Sequence, residues 1–103
     1  MVQPRRYELH KKLVQLLGVK HVYFQPPPTV QMTYPCIVYE LDKYHDTYAN
    51  DSLYSHKTRY QVTIIDRNPD SELPLKLNEL PYTSYESSFA TEGLNHFVFT
   101  LYY

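Results

Sequence analysis

Five histidines, one cysteine and eleven carboxylates are the groups in this chain that could move a proton, attack a carbonyl or hold a metal. His10, His21, His45, His56 and His96 are scattered, with no two at the short spacing of a metal-ligand pair. His45 and His56 could face each other across a hairpin, with Asp42 or Asp46 beside them, and that is the only metal arrangement the spacing offers. Cys36 lies inside the apolar run PCIVYEL, where a cysteine acts as a small buried hydrophobe rather than as a nucleophile. A Cys–His dyad would need a partner and an oxyanion loop, and nothing in the sequence positions either. The pairs Asp42/Asp46 and Glu40/Asp42 fall where solubilising charges belong. With two glycines in the chain, Gly18 and Gly93, a glycine-rich phosphate loop is excluded. The expectation is a protein that is not an enzyme, without a metal or cofactor.

The elements that must hold these groups follow from periodicity. Residues 4–17, PRRYELHKKLVQLL, place Leu9, Leu13, Leu16 and Leu17 on one helical stripe, with Pro4 in the first turn and Gly18 just past the end. Arg5, Lys11, Lys12 and Gln15 make the solvated face. A short β-prone stretch, VKHVYF, runs into Pro26-Pro27-Pro28. Three prolines remove three backbone donors, so this piece is expected to be an extended, polyproline-like connector.

Ile37, Tyr39 and Leu41 alternate in the next strand, and the pattern then slips to Tyr44 and Tyr48, which suggests a bulge near Asp42-Lys43 or a strand leaving the sheet. The chain returns with Tyr54, His56, Thr58, Tyr60, Val62 and Ile64 on one face, so residues from Cys36 onward read as a long two-stranded hairpin. NPDSELPLKLNELP reads as a second helix, capped by Asp70 or Ser71, with a stripe of Leu73, Leu77 and Leu80 and a stop at Pro81. Tyr85, Ser87 and Phe89 alternate in one further strand, and Phe97, Phe99, Leu101 and Tyr103 in another, with TEGLN as the hairpin connection. The order α-β-β-β-α-β-β predicts an α+β fold, one domain over 1–103, with two helices packed on one face of a mostly antiparallel sheet.

Composition narrows the role. A net charge of −1 supplies no basic face for binding nucleic acid by counterion release. No apolar run approaches the roughly 20 residues of a membrane span, and MVQPRRYELHKK lacks the apolar core of a signal peptide, so assembly in the cytosol is expected. Twelve tyrosines and four phenylalanines crowd a chain of 103 residues. A domain of that size buries only about 60–65% of its unfolded surface, so several rings must lie outside. Such rings favour protein interfaces, and Tyr102 and Tyr103 are expected on a sheet edge, where apolar groups invite pairing with a neighbour.

The wording of three segments adds a resemblance. YFQPPPTVQMTYPCIVYEL, KTRYQVTIIDRNPDSELPLKLNELP and LNHFVFTLYY, behind a leading amphipathic helix, resemble small tail-terminator (tail-completion) proteins of siphophages and related prophages, over nearly the whole chain. The resemblance implies a homohexameric ring on the head-proximal end of the tail tube. It would stop tube polymerisation and dock the head connector, and DNA would pass through without sequence-specific contact. Its partners would be itself, the tail-tube protein and the connector or stopper protein, and its place the virion. A head-closure or other neck role is the alternative, and a small host-directed binding module a more distant one. The family supplies no catalytic residues. Within this reading the hairpin tip, residues 45–55, is the contact element, through Tyr44, Tyr48, Asn50, Asp51, Leu53 and Tyr54, together with Tyr102 and Tyr103.

Overall fold

A computed structural model describes residues 5–18, 20–42 and 58–103. Helix α1, Arg5–Leu17, forms where the leucine stripe predicts it. Leu9, Leu13 and Leu17 are buried in the core and Leu16 packs against its margin. Gly18 ends the helix at φ 69° and returns its N–H to the Val14 carbonyl at 3.0 Å, a left-handed cap that glycine adopts without steric cost.

Five strands follow: β1 (Val22–Phe24), β2 (Cys36–Leu41), β3 (Arg59–Asp66), β4 (Thr83–Thr91) and β5 (Leu94–Tyr102), with helix α2 (Leu73–Leu77) between β3 and β4. They form one sheet in the spatial order β1-β2-β3-β5-β4, and the fold is α+β with the predicted element order. β1 and β2 run parallel and every other neighbouring pair is antiparallel. Ile37 and Tyr39 of β2, Tyr60, Val62 and Ile64 of β3, and Phe99 and Leu101 of β5 share one face and form a single cluster with the leucines of both helices. That shared cluster fixes the helices on one side of the sheet. Leu41, the third member of the predicted β2 stripe, is exposed at the strand end.

Several elements depart from their sequence reading. The β2–β3 pairing runs from Cys36↔Ile65 to Leu41↔Tyr60, and the Asp42 N–H reaches the Arg59 carbonyl. Asp42 therefore keeps the ladder's regular pairing, while Lys43, the other half of the expected bulge, lies outside the described residues. The outer part of the proposed long hairpin lies outside the described residues. Helix α2 is shorter than expected. Glu72 occupies the cap position without a side-chain cap bond, while the Ser71 hydroxyl accepts the Leu73 N–H at 3.2 Å.

The proline segment is not a straight rod. The Val30 N–H donates to the Pro27 carbonyl at 3.1 Å, Gln25 takes a positive φ, and the Tyr34–Pro35 peptide is cis. The parallel pairing explains the bend: the chain must return from the end of β1 to the start of β2, and an extended segment would carry it away. It folds over the face opposite the helices, where Met32 Sδ lies 4.0 Å from Cys36 Sγ and the Thr33 N–H approaches the Tyr23 hydroxyl at 3.4 Å.

Candidate assembly interface

Among the described residues, the cysteine and the histidines lie apart from one another. Cys36 is fully buried, and desolvation pushes its thiol up to about 11, so almost no thiolate forms at neutral pH. Cys36 pairs with Ile65, and Ile65 with His96, so a strand stands between the cysteine and that imidazole. Two strand spacings are roughly 10 Å, beyond proton transfer. His96 instead lies flat against Phe89, with ring centroids 4.5 Å apart. His10 Nδ1 is 2.8 Å from the Tyr39 hydroxyl, and Arg6 also hydrogen-bonds that hydroxyl. Arg6 donating to the phenol oxygen while the phenol donates to His10 gives the buried hydroxyl both a donor and an acceptor. Burial, and then the Arg6 charge, hold His10 below its ordinary pKa, and burial raises Tyr39. This is a structural network under the helix. Among the described residues no group of three or more His, Cys, Asp or Glu side chains could hold a metal. His45 and His56 lie outside them.

The face opposite the helices is polar towards β4. Asp42 Oδ2 lies 3.0 Å from Arg59 Nε, and Thr100 Oγ1 donates to Glu86 Oε2 at 2.9 Å. With Glu40 and Gln61 these residues line an open hollow of about 380 Å³. Its charges are paired, as Asp42 with Arg59, or face solvent, as Glu40 and Glu86 do.

Tyr102 and Tyr103 do not end on a sheet edge. β5 lies between β3 and β4, and it pairs with β3 over eight positions, from Arg59↔Tyr102 to Asp66↔Asn95. Tyr103 exchanges both backbone hydrogen bonds with Thr58 and packs against the core, with Lys12 Nζ 5.6 Å from its ring centre. Alternation within a strand does not reveal where that strand sits in the sheet, and this is why the edge placement failed. Both tyrosines still border a shallow groove of about 220 Å³ with Leu80, Pro81 and Tyr82. The tip residues Tyr44, Tyr48, Asn50, Asp51, Leu53 and Tyr54 lie outside the described residues.

Among the described residues the sheet's edges are β1 and β4, and the longer and more exposed of the two is β4, which no tip or terminal assignment included. Eight of its nine residues are exposed, among them Tyr85 at 55% and Phe89 at 53%. A register shift between Tyr85 and Ser87 leaves Glu86 as a bulge. Tyr85 therefore faces the helix side, edge-on to Phe99, while Ser87 and Phe89 face the other side. The three do not share a face as the sequence suggested. Each side of this edge thus presents one large exposed ring. The only sequence signal was the aromatic surplus itself, since Glu86 carries no mark of a bulge. Comparison with protein-family models, with curated proteins and with solved structures finds no match to the chain.

Proposed function

We propose that the chain is a structural assembly subunit of the tail-terminator type: a ring-forming protein that caps the phage tail tube, stops its polymerisation and presents the docking surface for the head connector. The observation that carries this reading is the nine-residue edge strand β4, open along one side and bearing an exposed ring on each face. Such an edge in a small sheet is a template for pairing and is ordinarily blunted unless a neighbour covers it. The surplus of rings, twelve tyrosines and four phenylalanines in 103 residues, supports an assembly role. So does the wording of YPCIVYEL, RYQVTIIDRNPDS and LNHFVFTLYY. The near-neutral charge suits a ring through which DNA slides without being held. Among the described residues no helix is long and apolar enough to cross a membrane.

In this role the subunit meets further copies of itself, the tail-tube protein and the connector or stopper, at the head-proximal end of the tail. Electron microscopy of lysates from a phage or prophage with this gene deleted tests the reading. Full heads beside unattached tails of irregular or excess length are expected. Tails of uniform length beside leaking heads would move the protein to head closure, and normal virions would overturn the proposal.

A further inference from the structure

The free edges of the sheet are complementary to each other. Within the described residues these are the outer sides of β1 and β4. β2 and β5 run in the direction of β1, and β3 and β4 run against it. A second copy turned about an axis along the strands therefore brings its β1 antiparallel to β4, and the same rotation repeated closes a ring where its angle divides a full turn.

Hydrogen-bond phase fixes which residues can meet. The Ile37 N–H donates to the His21 carbonyl and the Gln25 N–H to the Tyr39 carbonyl. His21, Tyr23 and Gln25 thus face β2, and the backbone groups of Val22 and Phe24 point to the open side. β4 turns into β5 through Glu92 and Gly93, both at positive φ (52° and 76°), in a two-residue turn whose flanking pair Thr91↔Leu94 closes the ladder. Counting back from Thr91, Phe89 and Ser87 bond to β5, while the backbone groups of Ser88 and Ala90 point outward.

We infer, resting on the ring reading above, that β4 of one subunit takes β1 of the next in antiparallel register, with Ser88 opposite Phe24, Phe89 opposite Tyr23 and Ala90 opposite Val22. The outward backbone groups then meet each other. The Val22 N–H is the exception, being already donated to the Lys20 carbonyl at 3.0 Å. Small side chains, Ser88 and Ala90, oppose the large Phe24 and Val22 on the helix side. On the other side Phe89, already stacked on His96, gains Tyr23 of the next subunit as its second neighbour. Glu92 comes opposite Lys20 of the next subunit, both exposed. The competing arrangement, two β4 strands about a two-fold axis through Phe89, sets Glu86 against Glu92 of the other copy at each end. Charge therefore favours the head-to-tail join.

The test uses the full chain. Phe89 and Tyr23 form a non-hydrogen-bonded pair across this join, the kind in which side chains approach closely enough for a disulfide. Oxidising the Y23C/F89C double variant is expected to give a ladder of covalent multimers. Mixed single variants Y23C and F89C should give one cross-linked dimer, and F89C alone none. Reversing one charge, K20E or E92K, should raise the concentration needed for assembly roughly tenfold. The K20E/E92K combination should restore it. Cross-linking of F89C to itself would establish the two-fold pairing and overturn the inference. Rings seen by electron microscopy without a 23–89 cross-link would overturn this join and leave the ring reading standing. Absence of both, with normal virions from the gene deletion, would remove the two together.

Discussion

His10, Tyr39 and Arg6 show how a buried ring with a polar end is accommodated. Tyr39 is completely inaccessible, its ring 5.0 Å from Phe24 and 6.0 Å from Tyr60, and its hydroxyl meets His10 and Arg6 beneath α1. Because folding lowers the pKa of His10, the unfolded chain binds the proton more readily. Stability is then expected to fall as pH drops through the ordinary histidine range near ~6.5 and to be fully present above it. Urea unfolding followed across that range should show this slope, and the His10→Gln variant should lose it. Tyr39→Phe keeps the ring packing and removes the hydroxyl that His10 and Arg6 share. A loss of about 1–2 kcal/mol is expected by the same measurement. No sequence argument found this network, because His10 and Tyr39 lie on different elements and only the packing of α1 over β2 brings them together.

Each element was legible to the degree that its pattern is local. The α1 stripe survived intact because a 3.6-residue period in leucines has one solution. Leu13→Ala should cost roughly 2–5 kcal/mol in thermal or urea unfolding, since Leu13 is wholly enclosed. The β4–β5 hairpin was also readable, from Gly93 in TEGLN. Open space surrounds Gly93, so Gly93→Ala should be limited to the strain of its positive φ, about 1–2 kcal/mol. The bulge at Glu86 was not readable, and it overturned the face shared by Tyr85 and Phe89. A bulge depends on how two strands fit together, which alternation within one strand does not encode. The bent proline connector is a similar case: its shape is set by the parallel partner of β1 and not by its own residues.

For the whole molecule, element order and fold class follow from the sequence, whereas strand order does not. Strand order moved the open edge from the terminal tyrosines to β4 and with it the surface on which assembly is argued. Deleting residues 47–53, in the proposed contact tip, is expected to leave the urea-unfolding transition nearly unchanged and to abolish assembly. Infectious, normal particles from that deletion would remove the tip from the interface. The sheet order also bears on how the protein folds. β5 comes after both strands it separates in the sequence, so as the chain folds β3 and β4 have no shared neighbour until the last strand docks between them. Until β5 arrives, β3 has only β2 to pair with and β4 has no partner strand in the sheet. The folding chain is thus open to misassociation until β5 docks, and a slower docking of this last strand would lengthen that period.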